Sequence, residues 1–350
     1  MNTTSFPLSA STNNSSNNVF NDSRLWQEEL AAAIRDPAEL LQLLDLHQED
    51  YPWLFEAAIP FPLKVTRSFV QRMEKANPND PLLLQVLPDR PEFYHNPEGL
   101  MDPVGDLASR KVPGLLHKYQ GRALLITAPS CAGHCRYCFR RHFPYQEPSS
   151  LPSDWTQALR YVREHPDIEE IILSGGDPLV LSDHKLQTLL GELNLLPQLT
   201  TIRIHSRTPV FAPSRITDSL CEMLGNLTKS VVMVLHINHA NEIDELFKTA
   251  MKKLASHGIR LYNQSVLLRG VNDRADTLIH LSKSLFNIDI QPYYLHLLDP
   301  VQGAMHYSVP KDEALKILQQ VRQSLPGYLV PQLVQEIPGT AYKQPIIQFT

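Results

Sequence analysis

The sequence predicts an α/β protein: a partial (β/α)6 barrel with a helical N-terminal extension before it and a short C-terminal segment after it. Two observations carry this reading. From about Arg122 onward, short apolar runs alternate with amphipathic stretches, and polar residues cluster where each apolar run ends. Alternation of this kind implies βα units and a parallel sheet. In parallel barrels the C-terminal strand ends build the active site, so polar clusters at six such ends point to function there.

Taken in order, residues 1–20 (MNTTSFPLSASTNNSSNNVF) read as a disordered Ser/Asn/Thr-rich tail. They lack the basic start and apolar core of a secretory signal. Residues 21–116 form the extension. Within it Leu25 to Leu46 reads as two short helices broken at Asp36-Pro37, because proline starts a helix more easily than it continues one. A further helical segment runs from Arg67 to Lys75 in a proline-rich stretch. Residues 117–310 form the barrel core, with strands at Ala123–Thr127, Glu170–Leu173, Thr201–His205, Val231–His236, Arg260–Val266 and Pro292–Leu297. Helices are expected between them over Ser153–Glu164, Asp183–Leu193, Ile216–Leu224, Glu242–His257 and Asp276–Phe286. Residues 311–350 are the C-terminal segment, opening with a helix at Lys311–Ser324.

A formal charge of −5 gives no basic surplus to draw the chain onto nucleic acid or an anionic membrane. No apolar run approaches the roughly 18–20 residues that cross a bilayer. Three of the four cysteines fall within eight residues. That is a poor disulfide framework and a natural metal site for a reducing cytosol, so a cytoplasmic location is expected. The fourth, Cys221, reads as a buried thiol.

The cysteine segment Cys131-Ala-Gly-His-Cys135-Arg-Tyr-Cys138 follows the first barrel strand directly. Three thiolates in one loop can hold three irons of a [4Fe–4S] cubane and leave the fourth open to a small molecule. Two other readings fit the residues: a structural zinc completed by His134 or His142, and an electron-carrier cluster that finds a fourth ligand elsewhere. After the second strand comes Ser174-Gly175-Gly176-Asp177-Pro178, where glycines lacking Cβ allow close backbone approach to a ligand.

The C-x3-C-x2-C spacing resembles the radical S-adenosylmethionine (SAM) superfamily. The runs CRYCFRRHFPY, SGGDPL, RIHSRTPV, HINHANE, NQSVLLRGVND and PYYLH resemble, more narrowly, the lysine 2,3-aminomutase family. The resemblance implies an isomerase using a [4Fe–4S] cluster on Cys131, Cys135 and Cys138, SAM, and pyridoxal phosphate (PLP) that tethers the amino group while a radical moves it from C2 to C3 of L-lysine. It implies SAM contacts from Gly175, Gly176, Asp177, His236 and Gln264, and PLP contacts from Tyr119 and Arg122. The PLP lysine is implied at Lys343, in Pro338-Gly339-Thr340-Ala341-Tyr342-Lys343, where Thr-Ala-Tyr replaces the relatives' glycine run. Arg140 is implied for the substrate carboxylate, and Asp299 and Glu336 for its distal ammonium. Glu336 stands where the aminomutases carry an aspartate. An electron donor such as flavodoxin or ferredoxin is implied as well.

Within the family, RMEKANPNDPLLLQVL, VPGLLHKYQGRALL and YYLHLLDPVQGAMHYSVP resemble the branch that makes (R)-β-lysine for modification of elongation factor P. That resemblance implies a functional link to the factor and to its lysyl-transferring enzyme. The alternatives are a catabolic lysine aminomutase, whose additional C-terminal zinc cysteines are missing here, and an iron–sulfur or zinc binding module without catalysis.

Overall fold

The computed structural model describes residues 24–56, 58–147 and 154–347. The tail predicted over residues 1–20 lies outside them. The extension opens with α1 (24–31) and α2 (Pro37–Leu43), split where predicted: the Asp36 side chain caps α2 by accepting from the Ala38 N–H, and proline occupies the first turn. Two short helices follow, α3 (Trp53–Glu56) and α4 (Arg67–Val70). The latter stops short of the predicted Lys75, because the Asp80 carboxylate accepts from the N–H groups of Glu74, Leu82 and Leu83 and folds the chain into a turn.

Among the described residues ten strands lie in one sheet in sequence order: β1 (Arg110–Val112), β2 (Leu115–Tyr119), β3 (Arg122–Ala128), β4 (Glu170–Gly175), β5 (Thr201–Ser206), β6 (Ser230–His236), β7 (Arg260–Val266), β8 (Ile290–His296), β9 (Gln332–Gln335) and β10 (Gln344–Pro345). β3 to β9 run parallel. The predicted six strands are β3 to β8. The sheet continues past them on both sides, through the antiparallel β1–β2 and β2–β3 hairpins and the antiparallel β10 against β9. Gly121, at φ +75°, makes the tight turn that brings Tyr119 opposite Arg122.

Helices α5 (Thr156–Glu164), α6 (Asp183–Asn194), the single-turn α7 (Thr208–Phe211), α8 (Asp218–Gly225), α9 (Glu245–Ser256), α10 (Ala275–Phe286) and α11 (Lys311–Ser324) connect the parallel strands. Ser182, Thr217 and Asp244 cap α6, α8 and α9 by accepting from the N–H three residues on. These caps explain why α8 and α9 begin later than periodicity suggests: the cap residue itself has extended backbone and cannot be helical.

Alternation along the strands separates two faces. Ile171, Leu173, Ile202, Ile204, Met233, Leu235 and Leu261 pack into one apolar cluster with the crossover helices. Glu170, Arg203, His205, His236, Gln264 and Tyr294 alternate with that apolar set and so face the lumen. A filled barrel carries branched apolar side chains there; this one carries polar groups.

The extension packs into the same core. Leu40, Leu41, Val65, Phe69, Leu83 and Val86 join the cluster that contains Ala132 and Phe211. Phe69 and Phe211 lie with ring centroids 4.7 Å apart. Below these contacts sits a buried ion cluster: Glu92 of the extension accepts from Arg136 Nε at 2.8 Å and from Arg141 Nη2 at 2.7 Å. Burial alone would raise the Glu92 carboxyl, but the two guanidiniums overcome it and hold it below its ordinary value. Cys221 is a buried free thiol, pushed up by burial to about 11. No helix among the described residues is long and apolar enough to cross a membrane.

Glu92→Ala leaves two buried guanidiniums without their carboxylate. Breaking a buried pair by removing one partner costs about 3–5 kcal/mol, and urea unfolding of the variant is expected to show a loss of that size.

Candidate active site

The loop after β3 carries Cys131, Cys135 and Cys138 at the C-terminal end of the parallel sheet, the end that parallel barrels use for chemistry. It has little regular structure of its own and is held from outside. Lys64 Nζ donates to the Cys131 carbonyl at 2.6 Å, the His134 and Arg136 N–H groups donate to Lys64 and Gln85 carbonyls, and Arg207 Nη1 lies 2.8 Å from Cys135 Sγ. Burial, then Asp177 and the other two cysteines, push the Cys131 thiol up; burial, then Cys135, push Cys138 up to about 11. The three sulfurs are thus close enough to repel one another as thiolates, and an iron core among them offsets that repulsion. Among the described residues no three His, Cys, Asp or Glu side chains gather about one metal-ion position. Three thiols carried on one loop suit a cubane, whose thiolates bind three different irons rather than one ion. His134, weighed as a zinc ligand, stacks on Phe61 and hydrogen-bonds the Pro62 carbonyl, while His142 bonds the Gln302 carbonyl.

Gly175 and Gly176 end β4 directly against this loop. A Cβ on Gly176 would lie 2.3 Å from the Ser130 carbonyl oxygen, and Gly175 holds φ at +119°. The space on that side is filled by the start of the cysteine loop at Gly176 and by β3, at Ile126 to Ala128, at Gly175, so their lack of Cβ serves the approach of two backbones to one another. Asp177 does similar work: its carboxylate accepts from Ser206 Oγ and the N–H groups of Arg207, Thr208 and Leu179, tying the end of β4 to the end of β5. His236 and Gln264 are registered neighbours on β6 and β7 and face the lumen together. His236 stacks on Tyr137, and burial, with Arg207 beside it, pushes its imidazole down to about 3.

A second set of predicted residues meets across the seam of the sheet. Glu336, just past β9, accepts from Tyr119 Oη on β2 and from Lys343 Nζ, both at 2.5 Å, and stands 3.6 Å from Lys118 Nζ. Lys118 also pairs with Asp106 at 2.7 Å, and Asp106 accepts from Arg140 Nε at 2.7 Å. Arg140 Nη1 reaches Ser174 Oγ at 3.0 Å. The charges alternate from the cysteine loop to Lys343: Arg140, Asp106, Lys118, Glu336, Lys343. Arg122 lies over the Tyr119 ring, 4.7 Å from its centroid. Burial raises the Asp299 carboxyl, and Lys343 only partly offsets it, leaving it at about 7.

Three buried polar atoms here have no partner within the protein: Asp299 Oδ1, His205 Nε2 and His296 Nε2. Each such atom costs about 1–3 kcal/mol unless a ligand or water satisfies it. Their grouping beside a lysine amine suits a polar, amine-reactive cofactor and an amino-acid substrate, which is what PLP and lysine are. Sequence reasoning brought Tyr119, Lys343, Glu336 and Asp299 to this place. It missed Asp106, Lys118, Glu92, His205 and His296 as individual residues, although lumen-facing alternation on β5 and β8 was a usable signal for the histidines.

The radical SAM superfamily profile matches residues 125–281. The L-lysine 2,3-aminomutase of Escherichia coli is 50% identical over 92% of this chain and 94% of its own length. That of Haemophilus influenzae is 46% identical over 93% and 96%. The Clostridium subterminale L-lysine 2,3-aminomutase is 34% identical over 92% of this chain and 77% of its own. At that identity and coverage, the chain belongs to the lysine 2,3-aminomutase family of the radical SAM superfamily, isomerases that work with a [4Fe–4S] cluster, SAM and PLP.

Proposed function

We propose that this chain converts (S)-α-lysine to (R)-β-lysine and that the product serves modification of elongation factor P. The observation that carries the first part is the Lys343 amine held on Glu336 at the barrel seam, with the buried Asp299 Oδ1 left without a partner. The second part rests on the sequence resemblance to the branch that serves elongation factor P. The runs named above, RMEKANPNDPLLLQVL among them, favour the same branch over a catabolic one.

When bound, the cluster with SAM supplies one-electron hydrogen abstraction, and PLP supplies a carbonyl for the α-amino group. Cys131, Cys135 and Cys138 hold the cluster, and a low-potential carrier such as flavodoxin or ferredoxin feeds it. Gly175, Gly176, Asp177, His236 and Gln264 line the SAM side. Lys343 offers its amine to PLP while Glu336, pinned by Tyr119 and Lys118, aims it; Arg122 and Tyr119 flank the cofactor. Asp299 and Glu336 accept the substrate's ε-ammonium. Arg140 meets the carboxylate, its guanidinium plane fixed by Asp106 and Ser174. Burying these groups keeps water from the reacting carbons and fixes the distances between them.

Anaerobic protein should contain iron, sulfide and PLP, and with reductant, SAM and L-lysine it should form β-lysine; zinc without iron would overturn the reading. Lys343→Ala should lose the absorbance of lysine-bound PLP and at least about a hundredfold in activity. With elongation factor P and its lysyl-transferring enzyme, intact mass should show β-lysine attached in preference to α-lysine, and equal use of the two would remove the link to the factor.

The pH dependence follows from Asp299. A protonated, neutral Asp299 cannot pair an ammonium, so kcat/KM, which reports the free enzyme, should fall by about tenfold per unit as pH drops below about 7. Asp299→Asn should flatten that limb and raise the KM for lysine.

Gly176→Ala forces a methyl against the Ser130 carbonyl oxygen. Overpacking costs about 1–3 kcal/mol, and equilibrium dialysis is expected to show SAM binding weakened by about tenfold or more.

A further inference from the structure

The residue that follows β5, Arg207, touches the cysteine loop and takes no part in the chemistry proposed above, yet it is fixed at several points. Its N–H donates to Asp177 Oδ2 at 2.7 Å, so its main chain moves with the segment that abuts the cysteine loop. Its guanidinium donates through Nη2 to Gln85 Oε1 at 2.7 Å and to Glu242 Oε2 at 2.9 Å, and through Nη1 to Tyr137 Oη. The same Nη1 lies 2.8 Å from Cys135 Sγ. Phe211 and Tyr137 cover it, with ring centroids 5.1 and 5.5 Å from its Cζ. Arg207 is 7% exposed and Glu242 is fully buried.

Glu242 is itself anchored away from the thiols. Its Oε1 accepts from the N–H groups of Asn238 and His239, both at 2.9 Å. The ion pair is therefore oriented, with its positive end on the Cys135 sulfur and its negative end on the loop after β6. A rigid N–H donor on a thiolate draws electron density from the sulfur, and a positive charge in a dry site favours the more negative state of whatever the sulfur binds. Hydrogen bonds to cluster sulfurs are among the factors that set iron–sulfur potentials.

We propose that Arg207 is a positioning residue that, through Cys135, raises the reduction potential of the cluster and so makes its one-electron reduction accessible. This rests on the cluster being held by Cys131, Cys135 and Cys138. In the step concerned, one electron from a low-potential carrier takes the cluster core from 2+ to 1+. No bond forms or breaks, and Arg207 keeps its proton throughout. Its contribution is electrostatic, larger for the 1+ core because the cluster with its thiolates then carries one more negative charge. If Arg207 served only as the structural partner of Glu242, replacing it would alter stability and leave the potential where it was.

The test uses the full chain, reconstituted anaerobically as wild type, Arg207→Lys and Arg207→Gln, with iron and sulfide measured first. Potentiometric titration followed by electron paramagnetic resonance, in the presence of SAM, gives the midpoint of each. Arg207→Gln should lower the one-electron reduction constant at least tenfold, a midpoint more negative by about 59 mV or more. Arg207→Lys, which keeps the charge and loses the fork, should shift less. An Arg207→Gln protein with full iron and the wild-type midpoint overturns the proposal.

A measurement on the wild type stands beside the variants. Pulsed resonance of the reduced cluster in protein grown on arginine labelled with ¹⁵N at the guanidinium nitrogens alone should reveal a nitrogen coupling that changes with the isotope; its absence overturns the proposal even where a variant fails to assemble. Wild-type protein without iron and sulfide would sink the cluster assignment, and with it this inference. A normal cluster with an unmoved midpoint sinks this inference alone.

Discussion

The barrel is closed by a carboxylate instead of a strand pair. β2 and β9 lie near opposite ends of the sheet order, with no ladder between them among the described residues, yet Glu336 beyond β9 accepts from Tyr119 and pairs with Lys118 on β2. A sheet of parallel strands that stops short of a full ring leaves an edge at which backbone groups and lumen side chains face one another across a gap. Filling that gap with ionised side chains brings the C-terminal lysine to the lumen, because Lys343 is held on the free oxygen of the same carboxylate. The seam is thus both the last element of the fold and the place where its charges converge.

The opposite requirement governs the cysteine loop. A loop that carries three thiols in C-x3-C-x2-C spacing cannot satisfy its own backbone in a ladder, so its position depends on what grips it. Three anchors come from different parts of the chain: Glu92 in the extension on Arg136 and Arg141, the Lys64 ammonium on the Cys131 carbonyl, and the glycine-tight contact of Gly176 with Ser130. The extension is therefore part of the site's support. Its apolar residues share the barrel's core, and its buried Glu92 carboxylate neutralises two of the loop's guanidiniums.

What could be read in the sequence follows the range of the interaction. Strand and helix periodicity are local, and β3 to β8 appear within two residues of where alternation places them. The three cysteines and the glycine pair are short-range motifs and were legible for the same reason. β9 is only four residues long, two of them glutamine, and offers too little periodicity to be seen, while the β1–β2 hairpin lies in a segment broken up by proline and glycine. Pairings such as Glu92 with Arg136, Asp106 with Arg140 and Glu242 with Arg207 join residues 44, 34 and 35 positions apart, and no local pattern announces them. Asp177 shows the limit most clearly. Its place in the GGDP run could be read, but its four bonds to the ends of β4 and β5 exist only in the folded chain.

A polar lumen is costly, and the cost explains the layout around it. Asp299 Oδ1, His205 Nε2 and His296 Nε2 each forgo a hydrogen bond in a buried setting. Burial holds both imidazoles well below their ordinary range and lifts the Asp299 carboxyl to about 7, so the lumen's cations are its lysines and arginines. Those cations sit in alternation with carboxylates, which keeps the site near neutrality while leaving directional donors and acceptors exposed to a ligand. A zwitterionic amino acid suits such a surface: its carboxylate and its distal ammonium each find a partner of opposite sign already oriented by neighbours. The apolar cluster outside the sheet, unbroken from the extension to α10, supplies the stability that this inner face forgoes.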